Sequence, residues 1–202
     1  MIDLASAFVT LFVVLDPPGM APIFLGLTAG MPAAIKRGIA IEACVIAFLL
    51  LAGATLFGTW LLGVLGISLP AFRIAGGLLL FSIAFEMVFE RRQRRKADDA
   101  TQQPDTNIAA FPLAIPLLAG PGAITACVLL AGRSEGNLIQ LGLLIGTIAL
   151  ILLMTMAVLI GSHLLERALG PRGLAVSERL LGVLLAALAV QYVADGVLAL
   201  RG

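Results

Sequence analysis

The sequence predicts an all-α integral membrane protein: six transmembrane helices arranged as two inverted three-helix repeats, with helices 1 and 4 broken near the midplane. Three observations predict it: a composition poor in charge, six apolar stretches of membrane-crossing length, and a recurring motif offset of 103 residues between the two halves. Of 202 residues, 60% are hydrophobic and 12% charged, and the mean hydropathy is +1.09. Soluble domains carry about 25% charged residues. Too few polar groups therefore remain to cover a water-facing surface, and the bilayer is the expected solvent. A formal net charge of +1 creates no basic field and argues against nucleic acid as a partner. No nucleophile, paired-carboxylate, metal-ligand or phosphate-loop pattern stands out, so neither a cofactor nor enzyme activity is expected. Cys44 and Cys127, each inside an apolar stretch, read as small buried hydrophobes.

A crossing helix needs about 20 mostly apolar residues. The first such span is Leu4 to Gly30; its start, Met1-Ile2-Asp3, lacks the positive charge of a cleaved signal peptide. The second is Gly38 to Leu62, behind Lys36 and Arg37, and the third is Leu69 to Phe89. Residues 1–89 thus form the first three-helix repeat. A charged linker over 90–107 follows, holding nine of the 25 charges between Glu90 and Asp105 and including an RRQRRK run. Residues 108–202 carry the second repeat, with spans at Ile108 to Gly132, Leu138 to Leu165 and Leu174 to Leu200.

Basic residues stay on the cytoplasmic side. With the N-terminus outside, ten of the 13 fall on the cytoplasmic turns (Lys36, Arg37, the 91–96 run, Arg167, Arg172, Arg179) and three opposite them (Arg73, Arg133, Arg201). Both termini are therefore expected outside the cytoplasm and the linker inside. The linker reads as an orientation signal, with anionic headgroup binding as the alternative.

The repeat rests on three alignments. Leu15-Asp16-Pro17-Pro18-Gly19-Met20 matches Leu118-Ala119-Gly120-Pro121-Gly122-Ala123, and Phe57-Gly58-Thr59-Trp60-Leu61-Leu62 matches Ile160-Gly161-Ser162-His163-Leu164-Leu165, both at 103. Arg73-Ile74-Ala75-Gly76 matches Arg179-Leu180-Leu181-Gly182 at 106. Because each unit has an odd number of spans, the second must run inverted, an arrangement in which transporters place substrate near the midplane between discontinuous helices.

Spans one and four carry helix breakers where a substrate would sit. Asp16 to Gly19 and Ala119 to Gly122 are expected to unwind, which is tolerated at that depth only where protein or a water-filled cavity surrounds the backbone. Asp16 before Pro17 also reads as an N-cap with proline at the first helical position. An acid at this depth costs at least about 2.5 kcal/mol on insertion scales, so Asp16 serves as a cap, as a ligand for a cation, proton or ammonium, or as both. Its counterpart is Ala119, beside which Gly122, Ala123 and Ile124 offer free N–H groups. A carboxylate for an ammonium, opposite a bare helix N-terminus for a carboxylate, describes a pocket for a zwitterion. Its candidate substrate-binding residues are Asp16, Pro17, Gly19, Met20, Gly120, Gly122, Ala123, Ile124 and Thr125. The small residues leave little space, which suits glycine or alanine.

Other polar positions admit two readings. Arg73 and Arg179 serve as interfacial anchors or reach the site. Glu42 pairs with Lys36 or Arg37, and Glu86 with the basic run, or either gates an inner vestibule. Trp60 and Tyr192 are expected in the interfacial aromatic belt, and His163 at the inner end of span five as an interfacial residue or proton relay. Gly26 with Gly30, and Gly142 with Gly146, are expected to bring helices close. Thr28, Ser82 and Gln191 are further polar candidates.

The chain resembles the MarC family of integral membrane proteins. The resemblance is carried by Asp16-Pro17-Pro18-Gly19-Met20-Ala21-Pro22 with Phe24 and Thr28, by Phe72-Arg73-Ile74-Ala75-Gly76-Gly77, by Ala119-Gly120-Pro121-Gly122-Ala123-Ile124-Thr125, and by the tail from Gly182 to Gly196. It implies a six-span inner-membrane protein, similar in outline to LysE-like exporters, in a family with members that carry small neutral amino acids. The expected function is alternating-access transport of such solutes. The alternatives are export of another small solute or cation, and a non-transporting scaffold. The coupling ion, direction and oligomeric state stay open.

Overall fold

A computed structural model describes residues 4–89, 107–134 and 137–201, and all regular structure among them is helical. The helices are α1 (Leu4–Leu15), α2 (Pro17–Leu27), α3 (Ala33–Val64), α4 (Leu69–Val88), α5 (Ala109–Leu118), α6 (Pro121–Gly132), α7 (Leu138–Ile160) and α8 (Ser162–Arg201). Five stretches are long and apolar enough to cross a membrane, with Leu4–Leu27 counted as one. Joining α5 and α6, which bend by 55° at their junction, makes six. The charged run expected at 90–107 lies outside the described residues except for Asn107.

Boundary signals explain most of the turns. Gly66, at φ +68°, ends α3 in the left-handed conformation that glycine adopts without strain, and Ile67 N–H donates to Leu62 O at 2.9 Å. Ser68 then caps α4, its hydroxyl accepting from Ala71 N–H at 3.3 Å. Asn137 caps α7 in the same way. Two expected boundaries move. α3 begins at Ala33, so Lys36 and Arg37 stand on its first turns rather than before it. α7 stops at Ile160, which places His163 at the start of α8 instead of the end of the fifth span. Gly170, at φ +62°, then kinks α8, and the apolar stretch of crossing length is Arg172–Arg201.

Side-chain size is distributed as membrane burial requires. On α3 the inward positions are small (Ala40, Ala43 and Ala47 are fully buried), whereas Leu49, Phe57 and Trp60 on its other faces are exposed. Lipid is as apolar as leucine, so large side chains gain nothing by turning inward and small ones let backbones meet. Trp60 is exposed, whereas Tyr192, expected beside it in the aromatic belt, is buried to 2%.

The broken helices occupy the centre. Of the five single spans Leu4–Leu27 is the most buried; α1 packs on α6, α7 and α8, and α2 on α7 and α8. α3 covers α5, α6 and α7, while α4 packs on α6 and, most extensively, on α8. The α4/α8 seam is antiparallel and nearly backbone to backbone. A Cβ on Gly77 would lie 2.8 Å from Ala189 O, one on Gly182 3.1 Å from Ala84 O, and one on Gly196 2.9 Å from Pro70 O. Pro70, Gly77 and Ala84 thus meet Gly196, Ala189 and Gly182, with small residues at intervals of seven on both helices.

Among the described residues the expected glycine contacts at Gly26, Gly30, Gly142 and Gly146 are absent, since a Cβ at each would meet open space within 4 Å. Gly142→Ala and Gly146→Ala should therefore leave the melting temperature in detergent unchanged or raise it, because glycine inside a helix costs about 0.8–1.0 kcal/mol relative to alanine. A lowered melting temperature for either would place an unseen neighbour against that face of α7.

Candidate functional site

The first break is a single residue. Asp16 sits at φ 53°, ψ 63°, the one left-handed non-glycine position among the described residues. Its N–H donates to Phe12 O at 2.9 Å, closing α1, and its carbonyl accepts from Met20 N–H at 3.2 Å, opening α2. The carboxylate folds over the new helix and Oδ1 accepts from Gly19 N–H at 3.2 Å. Both halves of the expected cap are present, with Pro17 at the first helical position. A Cβ on Gly19 would come within 2.1 Å of Asp16 Oδ2, so that position has room only for hydrogen. Unwinding was expected as far as Gly19; instead the helix resumes at Pro17. Asp16 is 1% exposed, and Pro17, Gly19 and Met20 are buried with it.

The second break is wider than expected and begins earlier. Phe111 and Ile115 are extended (ψ 127° and 122°) within α5, each followed by a proline, Pro112 and Pro116, through a cis peptide bond. The turns between them are wide: Leu113 N–H reaches Ile108 O, and Ala119 N–H reaches Ala114 O at 2.8 Å, each five residues back. Gly120 is extended and abuts its own chain, where a Cβ would meet Pro116 O at 2.4 Å. α6 then starts at Pro121 with no side-chain cap.

The N–H groups of Gly122 and Ala123 have no hydrogen-bond partner among the described residues, as expected of an uncapped first turn. Ile124 is a correction. Its N–H donates to Gly120 O at 3.0 Å, and its side chain is exposed. Thr125, by contrast, is buried, and its hydroxyl has no partner among the described residues.

The two breaks are neighbours. A Cβ on Gly122 would lie 3.7 Å from Val14 Cγ1, two residues before Asp16, and α1 packs along α6. α4 closes the other side, with Ile83 Cδ1 over Gly122 and Thr125 Cγ2 against Gly76. No sequence spacing selects Ile83, and Gly76 stands out only through the repeat and the family motif, whereas Pro112 and Pro116, four residues apart, signal the disturbance of α5.

Cavities open at both ends of α3. One, of about 320 Å³, lies at its C-terminal end beside Leu56, Thr59 and Ser134. The other, of about 520 Å³, lies at its N-terminal end beside Lys36, Arg37, Leu159 and Ser162. Neither has Asp16 or Gly122 in its lining, and both residues are buried.

The remaining polar candidates find local partners. Glu42 accepts from Asn107 Nδ2 at 2.5 Å rather than pairing with Lys36 or Arg37. Thr28 donates to Phe24 O at 2.8 Å, and Gln191 donates to Asp195 at 2.6 Å. Arg133 lies 3.6 Å from Asp195 and 4.9 Å above the Tyr192 ring. The Tyr192 side chain reaches that of Thr10 on α1, whose hydroxyl donates to Ser6 O at 2.8 Å. Tyr192 thus joins α8 to α1 instead of facing lipid. Glu178, 2% exposed, is a buried acid directly before Arg179 in the chain, where no sequence spacing singles it out.

Apolar helices of crossing length, small residues inside and large ones outside, and two broken helices at the centre define a multi-pass integral membrane protein. More narrowly, the chain belongs to the MarC family: the family model for MarC family integral membrane proteins matches residues 1–200. Among its relatives, the UPF0056 membrane protein MJ1677 of Methanocaldococcus jannaschii is 38% identical over 95% of this chain and 94% of its own. YvbG of Bacillus subtilis is 31% identical (96% and 93%), and YhcE of Escherichia coli 30% (94% and 89%). No solved structure matches the chain.

Proposed function

We propose that the protein is a secondary transporter of small neutral amino acids or similar small zwitterions in the inner membrane, working by alternating access. The observation that carries this reading is the adjacency of two unlike helix breaks. One presents a buried carboxylate at Asp16, the other an uncapped first turn at Gly122 and Ala123 with the Thr125 hydroxyl nearby. An ammonium matches the first and a carboxylate the second.

Reciprocal packing supports two inverted repeats about a shared axis. α2 meets α8 as α6 meets α4, α2 meets α7 as α6 meets α3, and α1 meets α7 as α5 meets α3, while α3/α7 and α4/α8 pair with their own counterparts. The end cavities obey the same offset of 103: Leu56 and Thr59 line one where Leu159 and Ser162 line the other. Two equivalent vestibules at opposite ends, with a buried centre between them, are what an alternating-access cycle needs. With the basic residues inside, both termini lie outside the cytoplasm and the Lys36 cavity opens inward.

Labelled glycine or alanine should accumulate in proteoliposomes above protein-free controls when a proton or sodium gradient is imposed, and less without it. Flux no greater than that of empty liposomes under every gradient would return the protein to a scaffold role.

A further inference from the structure

We propose that the cavity at the N-terminal end of α3 binds the phosphate of an anionic phospholipid. Among the described residues its lining carries Lys36, Arg37 and His163 and no carboxylate. α3 begins there behind Pro32, which provides no side-chain cap, so the N–H groups of Ala33 and Ala34 stand at the cavity without helical partners. Ser162 also lines it. That residue is 3% exposed, and its hydroxyl has no hydrogen-bond partner among the described residues, which makes it a buried donor aimed into the space. α2 and α7 end at the same place, where Phe24 O accepts from Thr28 Oγ1 and Gly161 O accepts from the N–H groups of Leu164 and Leu165. The polar side chains lining the cavity among the described residues are two cations, a hydroxyl and an imidazole.

The rest of the wall is apolar, with Phe24, Leu25, Leu159 and Ile160 facing the same space. A free phosphate would leave that surface unsatisfied; a phospholipid fills both halves, its phosphate on the cations and the start of its acyl chains on the apolar wall. Basic pockets between transmembrane helices on the cytoplasmic side are suited to such headgroups. The equivalent cavity at the other end of α3 offers Thr55, Thr59 and Ser134 and, among the described residues, no cation, so the positive lining is found at this end. The inference does not depend on the transport reading.

The test uses the full chain in mixed micelles with dioleoylphosphatidylglycerol or dioleoylphosphatidylcholine, with retained lipid counted by native mass spectrometry. Two variants are compared with it: Lys36→Gln with Arg37→Gln, and Ala34→Phe, which fills the cavity at unchanged charge and serves if neutralising the basic pair disturbs insertion. Both keep the 91–96 run, so loose attraction to that cluster is the same in all three. The wild-type protein should retain phosphatidylglycerol over phosphatidylcholine by about tenfold or more, and each folded variant should lose that preference, the size expected for a hydrogen-bonded charged group. Excess inorganic phosphate should not displace the lipid. Equal retention of the two lipids, undiminished preference in a folded Ala34→Phe protein, or displacement by inorganic phosphate would each overturn the proposal, the last by making the site one for a soluble oxyanion.

Discussion

Asp16→Asn should insert, fold and keep its melting temperature while losing affinity for glycine and alanine by about tenfold or more. Asparagine caps helices about as well as aspartate and is among the few residues that tolerate the left-handed conformation seen at φ 53°. Its amide oxygen can still accept from Gly19 N–H, so the junction of α1 and α2 survives. What disappears is the charge. A hydrogen bond to a charged group contributes about 1.5–3 kcal/mol, and tenfold in affinity is about 1.4 kcal/mol, which sets the lower bound. Isothermal titration of the purified variant, beside a thermal melt, separates the two roles. Unchanged affinity in a protein that melts normally would leave Asp16 as a cap and nothing more.

Gly77→Ala and Gly182→Ala should each destabilise the protein, by about 1–3 kcal/mol if they behave as overpacked core sites do. The added methyl at Gly77 meets a backbone carbonyl at 2.8 Å, and the one at Gly182 meets a backbone carbonyl at 3.1 Å. A side chain could swing aside; these carbonyls move only if the helices part. Thermal unfolding in detergent, with Gly142→Ala as the matched control, reads the effect directly. Wild-type melting of Gly77→Ala would mean that α4 and α8 are not in backbone contact.

The legible parts of this fold were those that depend on local chemistry. Asp16-Pro17 announced its cap because carboxylate, proline and helix start are covalent neighbours, and the uncapped turn at Pro121 followed from the same reasoning. The α4/α8 seam was not legible as a contact, because glycine pairs at i, i+4 occur on both lipid-facing and packed surfaces. Gly142 and Gly146 satisfy that spacing and touch nothing, while Gly182 and Gly196 are fourteen residues apart and both lie in the seam. Tyr192 was misplaced for a related reason: an aromatic near a span end has the same sequence context whether it faces headgroups or, as here, Thr10 on another helix. Ile124 shows how narrow the margin is at the site, since one residue of helix phase divides the free N–H of Ala123 from one already bonded.

The α4/α8 seam also sets an order of assembly. Its partners are made far apart in time: some hundred residues must leave the ribosome between Gly77 and Gly182, which at about 5–20 residues per second takes several seconds or more. Through that interval the small-residue face of α4 lies in the bilayer without its partner, and α1 lacks α6, α7 and α8. The first half therefore waits, inserted but unpaired, and the fold closes only when its last helix arrives. A chain truncated before α8 would remain in that waiting state, a substrate for membrane quality control rather than half of a working protein.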